Sequence, residues 1–183
     1  MMRRWMIAQA LCAKASVPLS GQVWQVFDMA TAGLPSNTVK AIAHDGQGGT
    51  WVGTDWGLTH FDGSSWEVFQ TQDGLPENDV RALAFDGQGR LWIGHFTHGL
   101  VVKDGDSWTQ FLPGSSPMPS DQVNNITFDG QGHAWISTTN GLARTDLVEW
   151  RIYNDTDTSY NNQMLPGVNI SDVAVRTDGL VCI

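Results

Sequence analysis

Of the five histidines in this 183-residue chain, His95 and His98 form the only close pair. An H-x-x-H pair supplies two ligands where a metal site needs three or four, and no neighbouring cysteine or carboxylate pattern completes the set. The sequence therefore assigns no metal and no other cofactor. His44 and His133 fall in slots filled elsewhere by Phe, Arg or Gly. No G-x-S-x-G nucleophile motif occurs, and the glycines sit where hairpins need them rather than in a phosphate loop, so no catalytic residue is assigned. What remains is binding chemistry. Thr54, Asp55 and Trp56, then His95, Phe96 and His98, then Thr138 and Asn140 occupy three equivalent turns. Rings that stack and side chains that hydrogen-bond are what small polar molecules and oligosaccharides are held by. Ordinary variable surface loops are the competing reading of the same turns.

The turns are equivalent because the chain is an array. GLPSNTVKAIAHDGQGGTWVGT begins at Gly33, GLPENDVRALAFDGQGRLWIGH at Gly74 and MPSDQVNNITFDGQGHAWIST at Met118. A fourth copy, LPGVNISDVAVRTDGLVCI, starts at Leu165. Trp24, Trp66, Trp108 and Trp150 keep the beat at steps of 42 residues. Units of roughly 40 to 45 residues with several short strands are propeller blades, each unable to bury its own faces alone.

Within the first unit four β-type runs are expected, Thr38 to His44, Thr50 to Gly53, Leu58 to Phe61 and Trp66 to Phe69. Asp45-Gly46-Gln47-Gly48, repeated from Asp86 and from Asp129, supplies the positive φ of a tight hairpin. Asp62-Gly63 and Asp104-Gly105 mark a later hairpin, and Asp146-Leu147 loses that glycine. Leu34-Pro35-Ser36-Asn37 and its counterparts read as strand-entry turns, where Ser or Asn can bond local amides. Trp51, Trp92 and Trp135 lie in second strands, and Trp66, Trp108 and Trp150 open fourth strands. Such rings fill the wedge between twisted sheets, burying about 150–250 Å² each.

Hydrophobic residues at 41% and charged residues at 16% suit a globular chain. A formal charge of −9 works against nonspecific phosphate binding, so nucleic acid is not expected as a partner. Cys12 and Cys182 make no disulfide framework, and no run of about 18 apolar residues offers a transmembrane span. Residues 1–15 stand outside the repeat. Arg3 and Arg4, an apolar run, and Ala13-Lys14-Ala15 predict an export signal cleaved before Ser16.

The pattern GLPSN-x-V-x-x-I-x-x-D-x-x-G-x-x-W-V-G-T resembles the two-component regulator propeller repeat, found in extracytoplasmic sensor regions of bacterial hybrid sensor kinases. The resemblance runs over about residues 21 to 183. Ser137 departs from it where the other units have Gly, and Arg176 and Cys182 stand for the Asp and Trp in the fourth copy. It implies an all-β propeller of four-stranded antiparallel blades, exported to the periplasm or beyond, with a ligand or partner to bind, a possible homodimer in the parent protein, and no catalysis of its own. Streptogramin lyases, propeller enzymes with a metal and a catalytic His near the axis, give the alternative, and a non-catalytic adhesion or interaction propeller a third. A sialidase-type Asp-box is disfavoured, because Asp45 and Gly48 are three apart rather than two.

Blade units are expected at about 33–69, 74–111 and 118–153, with a partial unit at 165–183 and an outer strand at 22–27. Those fifteen strands do not close a ring, so an incomplete ring is expected, the N-terminal part of a propeller of about six to eight blades.

Overall fold

The computed structural model describes residues 26–154 and 169–183. The expected export signal, most of the 22–27 strand and Leu165–Val168 lie outside them. Among the described residues fourteen strands follow in chain order, and the first unit gives β1 (Val39–His44), β2 (Thr50–Thr54), β3 (Gly57–Phe61) and β4 (Trp66–Phe69). The second gives β5 (Val80–Phe85), β6 (Leu91–His95), β7 (Leu100–Asp104) and β8 (Ser107–Phe111). The third gives β9 (Val123–Phe128), β10 (Ala134–Thr138), β11 (Gly141–Thr145) and β12 (Trp150–Tyr153). A partial unit adds β13 (Ala174–Val175) and β14 (Val181–Cys182).

Each of the three units is one antiparallel meander in sequence order, and β13 pairs β14 in the same sense. Successive first strands lie side by side, β1 on β5, β5 on β9 and β9 on β13, which makes them the inner edges of the blades. The chain is all-β, and its sheets fan out as blades of an open ring, as the resemblance implied.

The core lies between blades. Trp51 and Leu58 of the first blade meet Val80, Ile93 and Val101 of the second. Trp92, Leu100 and Val102 on the second blade's other face meet Val123, Ile136 and Ala143 of the third. Leu142 and the half-buried Trp135 and Tyr153 of the third blade pack with Ile170 and Val173. The tryptophans serve this packing unequally. Trp92 is fully buried, donates Nε1–H to Asp86 Oδ2 at 2.9 Å and meets Phe128 of the next blade edge-on at 5.3 Å. Outer-strand rings link the blades in series, with Phe69 5.6 Å from Trp51 and 6.0 Å from Trp108, and Phe111 5.8 Å from Trp150. Phe27 lies 5.4 Å from Trp66 in the same manner.

Close approach explains two glycines that need no special φ. A methyl group on Gly53 would lie 2.6 Å from Val80 Cγ1, and one on Gly94 would press harder on Val123. Gly94→Ala is expected to force the second and third blades apart and cost about 1–3 kcal/mol, read as a lower urea midpoint. The third blade has Ser137 in that place, buried, its hydroxyl 3.5 Å from Asn125 O.

The Asp tetrads act through the carboxylate as much as through glycine. Asp86 Oδ1 accepts Gln88 and Arg90 N–H at 2.9 Å, and Asp129 Oδ1 does the same for Gln131 and His133. In these two turns only Gly89 (φ 79°) and Gly132 (φ 86°) are left-handed, whereas Gly46 and Gly48 both are in the first. The later hairpin survives the loss of its glycine. Leu147 takes φ 78°, supported by Asp146 Oδ1, which accepts Val148 and Glu149 N–H, and by its own N–H to Thr145 Oγ1. The entry turns use Ser36 and Ser120 locally, on the N–H of Thr38 and Gln122. Asn37 and Asn78 instead reach back to the N–H of Met29 and Thr71, tying each blade to the connection before it.

Candidate functional site

The turns between second and third strands divide the eight candidate residues into two layers. Thr54 and Thr138 are fully buried, and each hydroxyl donates across its turn, to Gly57 O at 2.8 Å and Gly141 O at 2.7 Å. The same hydroxyls accept the N–H of Trp56 and Asn140. They build the turns and offer a ligand no surface. Trp56 stands out at 62% exposure, Asn140 and His98 are exposed, and Asp55 and Phe96 are partly covered. Asn140 Nδ2 donates to Pro119 O, and Thr97 bonds both oxygens of Glu77, so these turns and the strand-entry loops share one face.

His95 occupies the threonine position in the second blade and is also fully buried. Neither ring nitrogen makes a hydrogen bond of good geometry, although the Asp79 backbone lies close enough to act on the ring's charge. Burial pulls its pKa from 6.5 down to about 4, against the attraction of Glu77 and Asp79. His98 is held apart at the surface, 3.0 Å from Thr97 Oγ1 and 3.5 Å from Glu77. Among the described residues no three His, Cys, Asp or Glu side chains converge as a metal site.

Because folding favours neutral His95, its contribution to stability is complete above pH 6.5 and is lost as the pH falls toward about 4. Lowering the pH from 7.5 to 5 should therefore cost about 2 kcal/mol at this one site. His95→Thr, which installs the residue of the other two blades, is expected to flatten that interval of a urea-midpoint profile. An unchanged slope would mean that His95 is not the group titrating.

The more telling feature is a β-bulge at one register in every complete blade. Val39 pairs Thr54 and Ala41 pairs Gly53, which leaves Lys40 as the extra residue. The same irregularity leaves out Arg81 in β5 and Asn124 in β9. A bulge re-aims the side chain of the residue it inserts. Here Lys40, Arg81 and Asn124, with Ser171 at the corresponding position of the fourth copy, line one cavity of about 630 Å³ on the inner edges of the blades. Gln122, Asn169 and Thr139 complete a wall of polar side chains. Thr139 belongs to a second-to-third strand turn, and Phe96 from another lies 3.7 Å beneath the Arg81 guanidinium. The cavity and the turn face are thus contiguous. The positions 40, 81, 124 and 171 were absent from the sequence-based candidates. Their signal is a polar residue, different in each copy, directly after the constant Val39, Val80, Val123 or Ile170.

A second cleft, about 720 Å³, opens at the outer side between the third blade and β13–β14, against Trp135, Tyr153 and Arg151. One pair of blades earlier the corresponding Trp51 is covered by Lys103, whose Nζ lies 5.8 Å from its ring centroid, and by Trp108 through Phe69. The cleft lies where third and fourth strands stand between two complete blades.

Two segments, residues 33–56 and 74–97, match the family described as Two component regulator propeller. The extracellular domain of a hybrid two-component system of B. thetaiotaomicron superposes with a TM-score of 0.73 at 22% identity, over 89% of this chain and 22% of that one. The extracellular domain of a one-component system of the same organism gives 0.65 at 21% identity, over 86% and 22%. Virginiamycin B lyase from Staphylococcus aureus gives 0.57 at 15% identity, over 79% and 47%. The chain thus spans about a fifth of the length of the two extracellular domains. No curated protein matches it. Residues 33–56 and 74–97 thus carry the repeat described as Two component regulator propeller, and the solved structures share the fold.

Proposed function

We propose that the chain is a ligand-binding propeller segment of an exported sensor protein, with no catalysis of its own. Its binding site is the inner-edge cavity together with the exposed Trp56, His98 and Asn140 and the partly covered Phe96 of the adjoining turns. In this reading residues 1–15 are the export signal, residues 16–183 the propeller repeats, and the parent ring carries further blades. The observation that carries it is the bulge at Lys40, Arg81 and Asn124. A scaffold needs no distortion there, yet each complete blade spends one to aim a different polar side chain into a shared cavity. A polar wall beside a half-covered aromatic ring suits a hydroxyl-rich ligand of sugar size.

Thermal-shift screening against neutral and acidic oligosaccharides, followed by calorimetry, tests the proposal. Trp56→Ala is expected to weaken a discovered ligand about tenfold with little change in the melting point, because its ring is 62% exposed, whereas Asn124→Ala should weaken the ligand and also lower the melting point, because it removes the amide's 2.8 Å bond to Ile170 O. Affinities unchanged in both variants would remove the site from this face.

A further inference from the structure

We propose that the ligand of this cavity carries an acidic group, and that Arg81 is the residue that receives it. This rests on the cavity being the binding site and adds the ligand's charge class.

Among the described residues Arg81 is placed unlike the arginines that serve the scaffold. Arg90 is held by Asp86 at 2.6 Å, and Arg144 by Asp129, Gln131 and His133. The Arg81 guanidinium carbon lies 3.7 Å over the Phe96 ring centroid, and its Nε makes no hydrogen bond. Its buried Nε is 3.7 Å from Asp79 Oδ1, beyond hydrogen-bond reach. That same Asp79 oxygen is taken by Lys40 Nζ at 2.6 Å. Two cations therefore share one carboxylate, and the bulge holds the unsatisfied one toward the cavity. A planar fork seated over an aromatic ring, with only a 3.7 Å ion pair to Asp79 holding its Nε, matches a carboxylate or sulfate in two parallel hydrogen bonds at little cost in side-chain ordering. In a chain of net charge −9, this local cationic surface would also select the acidic ligand's approach. Gln122, Asn169 and Ser171 stand around it for the ligand's hydroxyl groups.

Calorimetry on the whole chain tests this with uronic acid disaccharides of the gluco, galacto and manno series, each beside its neutral counterpart, and with inorganic sulfate. At least one acidic disaccharide is expected to bind ~10- to 100-fold more tightly than its neutral partner, the range of one charge-assisted pair. Sulfate displacing it would mark the shared anion chemistry, and its failure to do so would mark the carboxylate. Arg81→Gln should abolish the preference, and Arg81→Lys should restore it only in part, because the fork is lost. Asp79→Asn should tighten the acidic ligand by releasing both cations, a gain that mere loss of structure would not produce. If no acidic disaccharide outbinds its neutral partner, the acidic-ligand inference is wrong. Binding of a neutral sugar that Trp56→Ala weakens and Arg81→Gln leaves alone would overturn that inference while the site itself stands. If neither class binds and no screened ligand responds to Trp56→Ala, both fall.

Discussion

Trp92→Ala is expected to cost about 3–5 kcal/mol, the range for removing a fully buried large aromatic, and to lower the urea midpoint more than any other tryptophan change. The ring has 1% exposure and is shared by two blades, through its edge-on contact with Phe128 and its place beside Leu100, Val123 and Ile136. Its loss leaves a void at the interface rather than inside one sheet. A blade cannot cover its own face, so the second and third blades should lose their cooperativity along with their stability. Trp56→Ala is the matched control, since a ring at 62% exposure contributes little to folding. Equal effects from the two substitutions would contradict an interblade core.

Asp86→Ala is expected to cost about 3 kcal/mol, because it strands a buried indole N–H and unpairs a guanidinium. The carboxylate accepts from Gln88 N, Arg90 N, Arg90 Nε and Trp92 Nε1 together. Burial pushes the Asp86 carboxyl upward, and the bonds from Trp92, Arg90 and Gln88 outweigh it and hold the pKa below the ordinary value of 3.8. Asp129 follows the same balance, burial against His133, Arg144, Gln131 and Trp135, and falls to about 2. Folded-state pKa values below the unfolded ones make both groups stabilising above about pH 4, a contribution lost on acidification, for Asp129 as the pH falls toward about 2. Wild type should therefore show a steep acid loss in that interval, below the His95 step, and Asp86→Asn should reduce it. A profile that Asp86→Asn leaves unaltered would show that the tetrad carboxylate does not hold its turn.

The strand plan was readable because the repeat aligns three copies of each element. The runs expected at Thr38–His44, Thr50–Gly53, Leu58–Phe61 and Trp66–Phe69 differ from β1–β4 by a residue at some ends. Turn glycines were readable where φ is positive. The need for Gly53 and Gly94 was not, since it comes from a valine on the next blade. Leu147 shows the opposite limit, a turn kept without its glycine because Asp146 and Thr145 hold the backbone.

The candidate site was half legible. Exposed turn residues such as Trp56 and Asn140 could be picked out by their variation between copies. Burial of Thr54, His95 and Thr138 could not, because a hydroxyl that closes its own turn looks in sequence like one offered to a ligand.

The sequence by itself determined the all-β repeat, the four strands per unit and the tryptophans between sheets, since period, alternation and turn chemistry are local properties repeated in register. Only the tertiary structure decided which polar residues share a cavity. Lys40, Arg81, Asn124 and Ser171 are more than 40 residues apart from one copy to the next, and they meet because the inner strands lie side by side and each full blade bulges at that position. A bulge is one extra residue against a partner strand, a relation between two strands that the order of residues along either one does not contain.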